Sequence, residues 1–414
     1  MKIAVVGSGI AGLGSAWLLS RQHDVTLFET NEYMGGHTHT HDIELQGRPY
    51  AVDTGFIVFN GTHYPLLTRL FAELGVASKP TTMSFSVQNQ ASGLEYNAGT
   101  LDGLFCQRRN LLRPRFLRMA ADIVRFYRNA PALLLQEGSG PTLGEFLASE
   151  RYSDSFRDEH IVPMAAALWS MSATQVLQFP LLHLLRFMDN HHMLKINGRP
   201  EWRVVAGGSQ RYVDAMRAGW TVDERIGCPV RCVGKAGDRV HVDSAAGRDK
   251  FDHVVLACHA DAALALLGDA TPTERRILGA MSFQDNDVVL HTDAALLPKH
   301  RKAWAAWNAY VPASSQARCT VSYCMNLLQS LDAPEPIVVT LNRGYSIDPA
   351  KVLRRMQYRH PLQTKASVAA QARKGEIQGR RNLWFAGAYW GHGFHEDGLR
   401  SAVDVAQGLG VAWP

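Results

Sequence analysis

Two clusters of ligand-binding and reactive residue types lie at opposite ends of the chain. Near the N-terminus, Gly7-Ser8-Gly9-Ile10-Ala11-Gly12 spells G-x-G-x-x-G, and Glu29 follows 22 residues after Gly7. Gly7 permits a tight turn, Gly9 lets the backbone approach a pyrophosphate, and Gly12 lets a helix pack close to a strand. A helix starting in this loop offers free N–H groups and a partial positive charge to an anion. An acid at the position of Glu29 accepts hydrogen bonds from an adenosine ribose and disfavours a 2′-phosphate. The glycines of Gly35-Gly36-His37 let a second backbone segment approach the same ligand. Near the C-terminus, Gly387, Ala388, Tyr389, Trp390, His392, His395, Glu396 and Asp397 crowd one loop. Tyr389, Trp390, His392 and His395 are the candidates for contact with a substrate, His392 or His395 as general base or polar anchor. The bland alternative is that these side chains only shape the loop. No Ser-His-Asp or paired-carboxylate arrangement points to hydrolysis.

These residues need elements that hold them together. Ile3–Val6 is a short apolar run suited to a strand buried on both faces. The spacing predicts an amphipathic helix over 13–20 and a second strand over Asp24–Phe28, ending at Glu29. Used this way, the apolar N-terminal stretch is structure and is expected to carry no export signal. Asp252–His259 reads as a buried strand returning to the first sheet, and Asn382–Ala386 as another. Asp397 is placed to cap a helix from about Gly398 to Gly408. Contacts from both ends of the chain suit a long dinucleotide such as FAD better than NAD.

Five segments carry a family resemblance: Val52–Asn60, Ala167–Ser170, Asn190–Leu194, Arg199–Tyr212 and Asn382–Leu399. With the N-terminal loop, they make the chain resemble the flavin-containing amine oxidase superfamily from end to end. Within it, the chain is similar to bacterial FAD-dependent oxidoreductases that resemble the flavoprotein domain fused ahead of some plant cyclopropane fatty acid synthases. The resemblance implies an α/β fold: a Rossmann-like FAD-binding domain with an inserted, mixed α+β substrate domain. The first would take residues 1–80, 204–266 and 376–414. The second would take 81–203, helical by pattern, and 267–375, mixing strands such as Ile337–Leu341 with helices.

The resemblance also implies residue roles. Gly7, Gly9, Ile10, Ala11, Gly12 and Glu29 would hold the ADP half of FAD, with Gly35 and Gly36 beside the pyrophosphate. Thr54, Gly55 and Phe56 would lie near the flavin ring, and Val230 would give its backbone to adenine. Gly387, Ala388, Glu396, Asp397, Gly398 and Leu399 would reach the ribitol and pyrimidine edge. Two positions depart from the pattern: His37 stands where many relatives have Arg, and Ala388 where many have Asp. His37, His39 and His41 alternate, which on a strand would share one face. No carboxylate or cysteine completes a metal set nearby, so no metal is expected.

The chain has 414 residues, 46% hydrophobic and 20% charged, which excludes a disordered chain. No apolar run is long and unbroken enough to span a membrane. The six cysteines contain no Cys-x-x-Cys pair, so free thiols in a reducing cytoplasm are expected. The formal net charge is +5. Residues 101–130 hold seven arginines and two aspartates, so this one window accounts for the whole excess. After Pro114, a helix would put Phe116, Met119, Ala120, Ile123 and Tyr127 near one face, with Arg115, Arg118 and Arg125 toward the other. Basic residues flanking an apolar face suit peripheral contact of residues 108–128 with the inner face of an anionic membrane. A solvated helix with its apolar side in the core fits the same pattern. No recognition fold accompanies the arginines, so nucleic acid is not an expected partner. Three functions stay open: an FAD-dependent oxidoreductase acting on a lipid or fatty acyl chain, an amine oxidase, and a non-catalytic flavoprotein partner of a lipid-modifying enzyme.

Overall fold

A computed structural model describes residues 1–135, 140–169, 171–190, 193–194, 198, 200–313 and 320–413. Ser170, His191, His192, Arg199 and Cys319, which belong to sequence features named above, lie outside the described residues. The five described cysteines are free thiols.

The strand Lys2–Val6 leads into the glycine loop, the helix Ile10–Leu19 and the strand Asp24–Phe28. They open a five-stranded parallel sheet in the order Val222–Arg225, Asp24–Phe28, Lys2–Val6, His253–Leu256, Leu383–Phe385. One sheet is thus assembled from three distant stretches of sequence. Its parallel strands are covered on both faces, as such sheets require. An antiparallel meander, Val230–Ala236, Arg239–Ser244 and Gly247–Phe251, packs Val233, Val240, Val242 and Phe251 on one face. The helix Ile10–Leu19 and the final helix, His395–Gly408, cover the other. They cross closely because both carry glycines at the contact. A Cβ on Gly14 would sit 2.8 Å from the Leu399 side chain, and one on Gly398 2.7 Å from Ile10. All ten residues of Ile10–Leu19 are buried, so the helix is not amphipathic as expected from its spacing. The sheet takes one side, and neighbouring helices and loops take the rest.

A seven-stranded sheet forms the second half. Its order is Val352–Pro361, Phe283–His291, Val338–Leu341, Thr320–Cys324, Trp307–Val311, Phe85–Asn89, Leu94–Asn97. Every pairing is antiparallel except Trp307–Val311 with Phe85–Asn89. The stretch 81–203 is therefore not purely helical; it supplies two strands before its helices begin. Those helices, including Pro114–Leu133 and Leu181–Asn190, bury Phe116, Phe126, Phe156 and Phe187 in one apolar cluster with Val87 and Tyr96 of the sheet.

Asp53 ties the two halves together. Its buried carboxylate accepts from Thr40 Oγ1, from Ser209 N and Oγ, and from Gln329 Nε2, at 2.6–3.0 Å. Burial raises its pKa to about 6 despite those bonds.

Candidate active site

One continuous cavity of about 1240 Å³ runs from the glycine loop into the second half. It exceeds the roughly 300–1,000 Å³ that holds a drug-sized ligand, so it has room for a long cofactor and a second molecule.

The glycine loop forms its inner wall. Gly7 has φ +102°, and a Cβ there would press on the Ala257 carbonyl at 2.9 Å. A Cβ on Gly12 would overlap the Gly7 carbonyl oxygen, so Gly12 serves packing and does not line the cavity. Gly9 differs: a Cβ there meets nothing within 4 Å. Its missing side chain opens onto the cavity at the N-terminus of Ile10–Leu19. Gly36, at φ +60°, approaches Gly9 from the other side, its absent Cβ 3.0 Å from the Gly9 Cα. Gly35 holds the turn through its backbone N–H to Ser8 and stands behind the wall.

Glu29 sits on the cavity wall. One carboxylate oxygen accepts from the Ser8 backbone N at 2.9 Å and from its hydroxyl. The other accepts from Asn31 N and Nδ2 at 2.8 and 3.0 Å. Ser8 and Asn31 had not been singled out, yet they fix the acid in place. Val230 lines the same end of the cavity, as do Ile10 and Ala11. A cradle open at Gly9, closed by Gly36 and ended by a fixed carboxylate fits the ADP half of FAD.

Beyond the cradle, Gly55 and Phe56 line the cavity, and Gly55 is needed because a Cβ would overlap the His37 carbonyl. Thr54 does not line it; its hydroxyl is bonded to the His39 carbonyl and the Tyr358 hydroxyl, at 3.1 and 2.7 Å. His37 is on the wall, with Nε2 buried and unpartnered among the described residues. Its ring lies near those of His259 and His360, centroids 6.1 and 5.3 Å away. Burial pushes the pKa of His37 and His259 down to about 4 and of His360 to about 3. These imidazoles are neutral at pH 7, which leaves Arg359, paired with Asp261 and Asp285, as the cation on the described wall. His39 and His41 do not converge with His37 into a ligand set. The described group with converging ligand atoms is Cys232, His241 and Asp243, where Arg248 already holds the carboxylate.

The C-terminal loop divides. Gly387, Ala388, Tyr389, His392 and His395 line the cavity. His395 stacks on Phe56, centroids 3.8 Å apart, and its Nε2 lies 3.0 Å from the Thr38 hydroxyl. His392 sits beside His183, centroids 4.4 Å apart, and its Nδ1 is buried without a partner among the described residues. Burial lowers the pKa of both His392 and His395 to about 3. Tyr389 packs edge-on to Phe283 near the cofactor cradle. Trp390 does not reach the cavity; its indole N–H donates to the Phe385 carbonyl at 2.9 Å. Glu396, Asp397, Gly398 and Leu399 also lie off this cavity. Glu396 caps a different helix, Pro65–Glu73, accepting from Leu66 N and Leu67 N at 3.0 and 3.1 Å. Asp397 is the third residue of its helix rather than the cap. Its carboxylate reaches back to the backbone N of His392 and Phe394, both at 3.0 Å, and burial raises its pKa to about 6. Both acids act by shaping the loop.

The far compartment is walled by Phe85, Ile123, Tyr127, Met164, Trp169, Phe187, Trp202, Trp307 and Tyr323. They come from elements spread over 240 residues, with no spacing that a sequence reading could catch. The carboxylates on the whole described wall are Glu29, in the cradle, and Glu201, exposed and paired with Arg203. One polar device stands out. Tyr96 donates its hydroxyl to the Glu159 carbonyl at 2.7 Å and so accepts from His160 Nδ1 at 2.9 Å. His160 Nε2 is then left to accept from the Tyr127 hydroxyl, 3.3 Å away. His160 and Tyr127 both line the cavity, and His160 lies in a wide π-turn, Arg157–Ile161.

The family model described as flavin containing amine oxidoreductase matches residues 10–285. A Mycobacterium tuberculosis protein described as a flavin-containing monoamine oxidase is 28% identical over 270 residues, covering 62% of this chain and 56% of its own. The chain thus matches little more than half the length of that relative. Cyclohexylamine oxidase from Brevibacterium oxydans IH-35A has the same fold, with a TM-score of 0.68 at 15% identity over 99% of both chains. So does a conjugated-linoleic-acid-producing fatty acid isomerase from P. acnes, at TM-score 0.66 and 16% identity over 98% of this chain and 97% of that one.

Proposed function

Because the chain belongs to the flavin-containing amine oxidoreductase family, whose cofactor is FAD, we propose that it is an FAD-dependent oxidoreductase acting on a lipid or fatty acyl chain. The observation that carries the substrate class is the far compartment. Its walls are aromatic and aliphatic, and apart from Glu29, which is held by Ser8 and Asn31 in the cradle, no buried carboxylate lines the described wall to meet an ammonium group. A long apolar chain gains about 0.8 kcal/mol for each CH₂ it buries there. The Tyr127–His160 pair leaves a lone pair on the Tyr127 oxygen, an acceptor for a donor group at the substrate's polar end.

FAD, when bound, supplies a ring that accepts hydride at N5 with little acid–base help. The protein's own part is to position and to exclude water. Gly9, Gly36 and Glu29 hold the adenosine half, and the Phe56–His395 stack together with neutral His37 shapes the wall beyond it. With pKa values near 3 to 4, His37, His392 and His395 can accept hydrogen bonds but carry no charge at pH 7.

An aromatic-walled compartment also fits an amine that binds uncharged, which is the second reading. Anaerobic titration of the FAD-loaded protein separates them. Fatty acids or phospholipids are expected to bleach the flavin absorbance and to yield a product with a new double bond. Bleaching by a panel of amines, with hydrogen peroxide released in air and no response to lipids, gives the function to the second reading. A flavin that no member of either panel bleaches removes both and leaves the non-catalytic role.

A further inference from the structure

The arginine-rich window contributes Leu104, Ala120, Ile123, Val124 and Tyr127 to the wall of the cavity. Its helix, Pro114–Leu133, carries three stripes rather than the two faces its spacing implied. At 100° per residue, Phe116, Met119, Phe126 and Ala130 share the side that enters the core. Ala120, Ile123 and Tyr127 form a second stripe, which lines the cavity. Leu117 and Val124, seven residues apart, form a third that faces outward, 43% and 56% exposed. Val124 is both exposed and part of the cavity wall, so the cavity opens beside it.

Exposed apolar side chains concentrate in this segment. The described chain exposes nine large hydrophobic residues, and six of them are Leu101, Leu111, Leu112, Leu117, Val124 and Leu135. Leu101 and Leu112 are 77% and 87% exposed. The arginines lie between them. Asp102, Glu159 and Asp122 pair with Arg108, Arg115 and Arg125. Arg109, Arg113, Arg118 and Arg128 are exposed and have no carboxylate partner among the described residues. Solvent alone gives no reason to expose leucines beside unpaired cations at the mouth of an apolar cavity. An anionic bilayer satisfies both, with leucines entering the acyl boundary and arginines meeting the headgroups. No described helix is long and apolar enough to cross the bilayer, so the contact is with its surface.

We infer that residues 101–135 dock this protein on an anionic lipid bilayer, with the cavity mouth beside Val124 facing the membrane. Docking rests on the surface alone. That an acyl chain then enters at Val124 rests on the lipid reading above.

The test is co-sedimentation of the FAD-loaded protein with phosphatidylglycerol–phosphatidylcholine vesicles and with pure phosphatidylcholine vesicles. The wild-type chain is expected to follow the anionic vesicles and to be released by salt. Replacing Arg109, Arg113, Arg118 and Arg128 together by Gln is expected to weaken that partition by about 100-fold or more. Leu112→Ser with Leu117→Ser is expected to release the protein at a lower salt concentration than the wild type, because the apolar part of the contact is gone. Both variants should keep their flavin absorbance and their bleaching by detergent-dispersed substrate. Equal binding to neutral vesicles, no binding, or anionic binding that survives loss of the four arginines overturns the inference. So does a wild-type dimer that the leucine variant disperses and that ignores vesicles. Vesicle binding without bleaching by lipid refutes only the lipid reading, and bleaching without vesicle binding refutes only the docking.

Discussion

Gly9→Val is expected to give a folded but colourless protein. Gly9 has φ −64° and ψ 176°, extended backbone open to any residue, and its Cβ would touch nothing. The fold therefore tolerates the change at about 1 kcal/mol, the cost of losing a favourable helix N-cap. The same empty space is the approach to the N–H groups of the helix, with Gly36 closing from the opposite side. Two added methyl groups would occupy the seat of a pyrophosphate. FAD affinity should fall about 100-fold or more, about 2.8 kcal/mol at 1.4 kcal/mol per decade. Gly12→Ala is the contrasting control, because its Cβ overlaps the Gly7 carbonyl and strains the fold itself. Flavin absorbance, calorimetric titration with FAD and the thermal midpoint of the cofactor-free chain read out the difference. Wild-type FAD affinity in Gly9→Val would place the pyrophosphate elsewhere.

Acidification is expected to unfold the cofactor-free protein well above the ordinary carboxylate range near pH 4. His160, His183 and His291 are 2%, 8% and 0% exposed, and burial lowers the pKa of each to about 4. The unfolded chain binds protons at these groups from pH 6.5 downward, whereas the folded chain does not until about pH 4. Their contribution to stability is present above pH 6.5 and declines as the pH falls toward 4. At pH 5 the loss is about 2 kcal/mol for each, against a typical total stability of about 5–15 kcal/mol. The cavity-facing His37, His259, His360, His392 and His395, with pKa values of about 3 or 4, act in the same direction. Asp53 and Asp397 act in the opposite one. Their pKa values, raised to about 6, make protonation easier in the folded chain, which gains stability as pH falls from 6 toward 4. Two carboxyls do not offset eight imidazoles. The urea midpoint should drop steeply between pH 7 and pH 5, and FAD should restore part of it by mass action. A midpoint unchanged at pH 5 would show that these rings are not held neutral.

What the sequence revealed and what it hid follow one physical division. The glycine loop was legible because its requirements are local: a positive φ at Gly7, a carbonyl packed on Gly12, an opening at Gly9. The strand His253–Leu256 was legible because burial on both faces leaves a continuous apolar run. The helix Ile10–Leu19 was misjudged because a helix enclosed on every side has no polar stripe to show. Glu396 and Asp397 were assigned to the cofactor by the resemblance alone, and the bonds they make are to the backbone. Only the tertiary fold brings Leu66, 330 positions away in sequence, to the Glu396 carboxylate. Trp390 followed the same course, turned to the Phe385 carbonyl by a loop whose path no spacing encodes. The basic helix was seen as two-faced, and the third stripe emerged only once a cavity lay against it.

The order of assembly follows from where the strands of the first sheet are encoded. Lys2–Val6 is made long before Leu383–Phe385, at the sheet's edge, and the helix His395–Gly408. At about 5–20 residues per second, roughly 20–80 seconds of synthesis separate them. Throughout that interval the largely apolar surface of Ile10–Leu19 has no final helix to pack against, and Gly387 is not there to complete the cavity wall. A nascent chain in this state is a client for chaperones rather than a receptor for FAD. Loading of the cofactor is thus deferred until the helix His395–Gly408 has been made, and the strand and helix that open the sheet wait for it to be secured.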